Sequence, residues 1–246
     1  MPAQASAQPA RARNLVRTAD LVAELSLDID AATGSASGHA LRTCFLAVRA
    51  AEALGMADRE RSALFYAALL HDAGEDRGDD EDSALPARRR LIPLPRRIDD
   101  ERRETLRARA HRGAGMVLKA GFGPDVALPI MALHERWDGR GLPFGLGGEG
   151  IPLTARLIAL CHDLDGLVAE RDRRYARETI LARSGSWYDP HLADLLLILS
   201  SHGLLREAAD ARIRLRVSEL EPSWLIRRSE VDDAAAMRAA LGLSPS

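Results

Sequence analysis

"LHERWDGRGLPFGLGGEGIPLTARLI", residues 133–158, sets a histidine and a glutamate (His134, Glu135) just before a loop rich in glycine. A His-Glu pair is costly to bury and useful to expose. Glycine at 139, 141, 145, 147, 148 and 150 predicts a backbone that turns sharply or approaches another group closely. Pro152 then suits the first position of an apolar helix, expected over 152 to about 169.

Helical spacing also dominates on either side of this stretch. Alanine, leucine, arginine and glutamate abound, valine and isoleucine are scarce, and strand-like alternation is hard to find. Asn14 is a candidate cap for a helix running to about Ala32, broken by "ATGSASG". A second helix aligns Leu41, Cys44, Phe45 and Val48 on one stripe and stops at Gly55. A third begins near Asp58, carries Leu64, Ala67, Ala68 and His71 on one face, and ends at Gly74. Residues 75–98 read as a long solvated loop, acidic first and then rich in arginine and proline. Asp99 or Asp100 caps the helix that includes His111 and ends by Gly121. A short helix after Pro124 reaches His134, with Pro129 bending it or delaying its start. Asp189-Pro190 starts another through about Leu205, and Ser229 is a candidate cap for a last one. The expected division is a disordered tail at 1–13, a helical domain at 14–205 and a helical extension at 206–246, with no internal repeat.

The bulk composition limits the function classes. A net charge of -2 implies no nucleic-acid or acidic-lipid partner. No apolar run reaches the roughly 18 residues a membrane helix needs. The N-terminus lacks the apolar core of a secretory signal. The two cysteines, Cys44 and Cys161, sit in apolar helical patterns, so a reducing cytoplasm is expected rather than a disulfide framework.

The seven histidines are His39, His71, His111, His134, His162, His191 and His202. A lone helical histidine is more often packed or exposed than a ligand. His71, however, lies on an apolar stripe and is followed at once by Asp72. Burying that pair needs compensation, and a metal would supply it, since imidazole plus carboxylate suits zinc, iron or manganese.

"LLHDAG" at 69–74 resembles the signature of the HD superfamily of metal-dependent phosphohydrolases. "HERWDGRGLPFGL" followed by "IPLTARLIAL" resembles the HD-GYP subgroup, which hydrolyses cyclic dinucleotides, chiefly cyclic di-GMP. The likeness runs from about Ser35 to about Leu205. It implies an all-α HD-domain bundle with an HD-GYP-type loop and a C-terminal helical extension. It also implies metal ligands at His39, His71, Asp72, His111, His134 and His162, holding one or two divalent ions (iron, manganese or zinc). Asp72 would be catalytic, bridging ions that clamp the scissile phosphate and activate a water. Arg136, Arg140 and Gly141 are the candidate substrate contacts, and Arg156 is a further candidate for phosphate. Glu135 is expected to cap or orient, and Trp137 and Phe144 to pack.

Four positions depart from the family pattern. Leu133 stands where a ligand histidine is usual, and His162 where an acid is usual, with Asp163 beside it. Glu75 replaces a lysine that would meet phosphate, and is itself an alternative metal ligand; Leu142 replaces the tyrosine of the GYP triplet. Ile158, His162 and Asp165 share a helix face, which favours His162 over Asp163 as ligand. The expected function is a metal-dependent phosphohydrolase of small phosphoesters or cyclic dinucleotides. The alternatives left open are a catalytically degenerate module that senses nucleotide or binds protein, and an HD-type di-iron oxygenase. Large nucleic acid and membrane are not expected partners. The 206–246 segment is the expected surface for a homodimer or a signalling-protein partner.

Overall fold

The computed structural model describes residues 15–75, 100–222, 228–230 and 233–244. The expected tail at 1–13, the cap at Asn14 and nearly all of the 75–98 loop lie outside the described residues. Among those described, the regular structure is helical apart from one short antiparallel strand pair and an isolated bridge between Ser184 and Tyr188. The helices are α1 (Thr18–Thr33), α2 (His39–Ala53), α3 (Asp58–Leu69), α4 (Asp100–Lys119), α5 (Pro124–Met131), α6 (Leu153–Glu170), α7 (Arg173–Arg183), α8 (Pro190–Ser201), α9 (Leu204–Ala208), α10 (Ile213–Glu219) and α11 (Asp233–Ala240). The strands β1 (Leu15–Arg17) and β2 (Arg228–Glu230) pair with each other. None of the described helices is long and apolar enough to cross a membrane.

Helices α2 and α6 form the middle of the bundle. On α2, Leu41, Cys44, Phe45 and Val48 are all buried, with Ala47, Ala50 and Ala51 beside them. The alanines let α3 and α6 approach closely, and α2 packs against both. On α6, Leu157, Ile158, Leu160 and Leu164 have almost no exposure. Each contributes roughly 1.5–3 kcal/mol on burial. A helix buried on nearly all sides is expected to be apolar throughout. Yet α6 also buries His162, Asp163 and Asp165.

A glycine crossing fixes the level at which α4 meets the end of α3. Gly74 has φ 90°. A Cβ there would stand 2.5 Å from Gly113 Cα, and a Cβ on Gly113 would stand 2.2 Å from the Ala73 carbonyl oxygen. Neither position tolerates a side chain without backbone movement. Arg112 closes the crossing by donating from Nε and Nη2 to the Gly74 carbonyl, at 3.1 and 2.9 Å.

Several boundaries differ from the sequence reading. Residues 15–17 are extended because they pair with 228–230, and Ser229 lies inside that strand instead of capping a helix. α3 ends at Leu69, so His71 sits in the following turn and not on the helical stripe. α5 ends at Met131, where the cap N–H of Ala132 turns back to Pro129, and His134 lies beyond it. Gly203, at φ 109°, splits the expected 190–205 helix into α8 and α9. Helix α7 has no counterpart in that reading; Asp172 caps it by accepting from the Tyr175 N–H at 2.8 Å.

The 213–222 segment packs onto the bundle. α10 lies against α1 and α2. Beyond it the buried Glu221 accepts from Arg17 at 2.8 Å and from the Tyr66 hydroxyl on α3.

Candidate metal centre

Two helix ends and the middle of α6 converge on one buried spot. His39 opens α2 immediately after Gly38, whose φ of 76° turns the chain into the helix. His71 and Asp72 follow the end of α3, and His162 projects from α6. One donor atom from each of these four residues lies within 4.8 Å of the others, and all four residues are buried. The three imidazoles meet edge-on, with centroids 4.6 Å (His39–His162), 5.1 Å (His71–His162) and 5.5 Å (His39–His71) apart.

The protons point away from the centre. His71 Nδ1–H donates to the Ala68 carbonyl at 2.8 Å, which leaves a lone pair on Nε2. That Nε2 faces Asp72 Oδ1 at 3.2 Å yet makes no hydrogen bond. Two acceptors facing each other in a buried site are unfavourable unless a cation lies between them. Burial drives the His71 pKa down to about 4, with His162 and His39 adding to the effect and Asp72 opposing it. His39 Nδ1–H donates to Asp165 Oδ2 at 2.7 Å, and its Nε2 is likewise buried without a hydrogen bond. Burial pulls the His39 pKa down, but the hydrogen bond and charge of Asp165, with Asp72 and Asp30, outweigh it and leave the pKa raised. Three imidazoles and a carboxylate, with Nε2 of His39 and of His71 buried and without a hydrogen bond, suit a divalent transition metal.

A second layer of side chains holds these ligands. Arg42 donates to both oxygens of Asp165, from Nε at 2.7 Å and from Nη2 at 3.0 Å. Burial opposes ionisation of Asp165, but His39 and Arg42 outweigh it, so its pKa is lowered. Asp163 accepts from His162 Nδ1 at 2.9 Å and from the Tyr188 hydroxyl at 2.9 Å. Asp30 of α1 accepts from the Ala40 N–H at 3.2 Å through Oδ1, while its buried Oδ2 makes no hydrogen bond. Burial raises the Asp30 pKa to about 6, against the pull of His39. Asp30, Arg42 and Tyr188 are not among the site residues expected from the sequence. The one available signal was charge on an apolar face: Asp30 follows Ser26 by one helical turn on the buried side of α1.

His111 and His134 do not join the four. His111 is exposed on α4, its ring edge-on to Phe144 at 6.0 Å. Leu133 is buried in the core at the position where a ligand histidine was expected. The adjacent His134 turns to Glu75, with Nε2 3.3 Å from Oε1. Burial raises the Glu75 pKa, but His134 outweighs it and leaves it lowered. His134 is expected from the sequence beside His111, but its hydrogen-bond partner is Glu75.

Glu135 organises the glycine loop. Its carboxylate is buried and accepts from the Phe144 N–H at 2.7 Å and the Leu146 N–H at 2.9 Å. Burial raises its pKa despite those bonds. Gly141 is required because a Cβ would stand 2.2 Å from Arg136 N. Of the substrate candidates, Gly141 is thus buried against Glu135 and Arg136. Arg136 pairs with Asp138 at 2.8 Å and stacks 4.5 Å from the Trp187 ring. Arg156 pairs with Asp189 at 2.6 Å. Arg140 is exposed, as is Phe144.

Comparison with known proteins agrees with this architecture. Residues 29–192 match the HD domain family. The 3'3'-cGAMP-specific phosphodiesterase 3 of Vibrio cholerae is 26% identical over 250 residues, covering 86% of this chain and 54% of that protein. A probable cyclic di-GMP phosphodiesterase of the same organism is 32% identical, covering 72% of this chain and 42% of that protein. The chain therefore spans about half the length of these curated relatives. The crystal structure of a cyclic GMP-AMP specific phosphodiesterase from V. cholerae matches with a TM-score of 0.81 at 25% identity, covering 93% of this chain and 60% of that one. An HDG"Y"P protein from Bdellovibrio bacteriovorus matches in fold alone, with a TM-score of 0.51 at 20% identity, over 66% of this chain and 51% of that one. With the His71-Asp72 pair at the centre of a matching helical bundle, the chain belongs to the HD domain family.

Proposed function

We propose that this chain is a metal-dependent phosphohydrolase whose substrates are cyclic dinucleotides. The observation that carries the proposal is the buried cluster of His39, His71, Asp72 and His162, in which Nε2 of His39 and of His71 has no hydrogen-bond partner. These four residues would hold a divalent iron, manganese or zinc ion. Such an ion would supply Lewis acidity toward a phosphoryl oxygen and would lower the pKa of a water so that hydroxide is available as nucleophile near neutral pH. The chain's own residues do the positioning. Asp165 and the Ala68 carbonyl fix which nitrogen of His39 and His71 faces inward. Glu135 holds the glycine loop so that Arg140 and Phe144 are presented at its surface. A guanidinium and an aromatic face suit phosphate and base respectively. The two buried free thiols fit a reducing cytoplasm.

The relatives named as cGAMP and cyclic di-GMP phosphodiesterases support this substrate class. The test is turnover of cyclic di-GMP and of 3'3'-cGAMP, each with manganese, iron or zinc, read by chromatography of the linear product. Turnover lost in Asp72→Ala supports the reading; a metal-loaded chain that cleaves neither overturns it. The Glu75–His134 pair favours a second reading, a module that binds nucleotide without cutting it, since Glu75 sets a carboxylate where a phosphate-binding lysine was expected. Saturable nucleotide binding without product identifies that case.

A further inference from the structure

His162 replaces the acid that the resemblance implies, and the structure shows what stands behind it. Asp163, the next residue on α6, is buried, and its two oxygens have separate donors. Oδ1 lies 2.9 Å from His162 Nδ1, and Oδ2 accepts from the Tyr188 hydroxyl at 2.9 Å. Tyr188 lies in a pinned turn. Its carbonyl accepts from the Gly185 N–H at 2.9 Å, and its neighbour Trp187 donates to the Arg183 carbonyl at 2.8 Å. The same turn accepts from the glycine loop, from the Trp137 N–H at the Trp187 carbonyl (3.1 Å) and from the Asp138 N–H at the Ser186 carbonyl (2.8 Å). Arg183 stacks 4.2 Å from the Trp187 ring. The hydroxyl that fixes Asp163 is thus fixed by the loop that flanks the site.

We infer that Tyr188 and Asp163 form a positioning relay that keeps the proton of His162 on Nδ1 and presents Nε2 to the ion. This rests on the metal-site reading above. An imidazole backed by a carboxylate binds through nitrogen but returns the negative charge one bond further out, and the backing group raises the basicity of the ligand. The sequence therefore keeps a carboxylate at this corner of the site although the ligand position itself has lost one. Asp163 and Tyr188 are positioning residues, acting through His162.

Two readouts test the relay in the full chain. The first is zinc affinity, measured by competition with a chromophoric chelator. Asp163→Asn lowers it by about 10–100-fold, and Tyr188→Phe lowers it by less. In a His162→Asp background, Asp163→Asn has no further effect, because a carboxylate at 162 has no tautomer to fix. The second is the His162 tautomer in the metal-free chain, read from ring nitrogen shifts. The parent carries the proton on Nδ1, and Asp163→Asn becomes a mixture. Zinc affinity within twofold of the parent in Asp163→Asn, or an unchanged tautomer, overturns the relay. A parent chain that binds no zinc refutes the metal-site reading instead, and the tautomer measurement then still decides the role of Asp163.

Discussion

Asp165→Asn removes one negative charge and keeps the shape, so its effect can be estimated from the bonds it breaks. Asp165 accepts from His39 Nδ1 at 2.7 Å and from Arg42 Nε and Nη2 at 2.7 and 3.0 Å. An asparagine keeps one oxygen for these donors and turns an amide N–H toward another. Hydrogen bonds to charged groups contribute about 1.5–3 kcal/mol each. Arg42 is partly open to water, which recovers some of that loss. The expected net cost is about 3 kcal/mol, near the low end for a broken buried ion pair. For a chain of this size that corresponds to a melting point lower by roughly 6–12 °C. Because the native pKa of Asp165 is lowered, its contribution is present above the unfolded value of 3.8 and is lost as pH falls through the native value. The difference between parent and variant therefore shrinks in acid. His39 also loses the partner that aims its Nε2, so zinc affinity falls by about 10–100-fold. The assays are urea unfolding of chelator-treated protein at pH 7 and pH 3, and zinc competition. A variant with parental stability and parental zinc affinity refutes the reasoning.

Gly113→Ala sets a Cβ 2.2 Å from the Ala73 carbonyl oxygen and 3.3 Å from the Ile130 side chain. It is expected to destabilise at the upper end of about 1–3 kcal/mol, measured by urea unfolding; a neutral effect would mean that α4 does not cross the Ala73-Gly74 turn as described. Glu135→Ala leaves the Phe144 and Leu146 N–H groups without their acceptor. Hydrogen exchange at those two amides should accelerate on the order of 10–100-fold, and unchanged protection would rule out Glu135 as the loop's anchor. Asp30 gives the opposite pH sign from Asp165. Its native pKa of about 6 exceeds the unfolded value of 3.8, so its contribution is present below 3.8 and is lost as pH rises through 6. Metal-free Asp30→Asn should therefore exceed the parent by up to about 3 kcal/mol above pH 6, and the gap should close toward pH 4; a gap that does not vary with pH contradicts the assignment.

The fold and the central cluster were legible for different reasons. Helical periodicity and end signals marked α2, with its Leu41-Cys44-Phe45-Val48 stripe, and α8, with Asp189-Pro190 at its start. His71 and Asp72 stood out as a histidine-carboxylate pair in an apolar pattern, whereas His39 and His162 were found by resemblance, because their meeting joins positions more than a hundred apart. Local pattern failed where tertiary partners decide. Leu15–Arg17 is extended only because a distant segment pairs with it. His71 left its helix because the chain must cross Gly113 three residues later. His134 turns to Glu75, a pairing that no spacing rule could supply. The second layer was hidden in the same way: Asp163 looked like a spare ligand until its two hydrogen bonds gave it a supporting role.

The most direct test of the central claim is elemental analysis of the chain after loading with manganese, iron or zinc and gel filtration. It should be run on the parent and on His39→Ala, His71→Ala, Asp72→Ala and His162→Ala, with folding checked by circular dichroism. The parent is predicted to retain at least one ion per chain, and each folded variant to release it. A parent that emerges without metal, or four folded variants that all keep it, would contradict the claim that these side chains form one binding site.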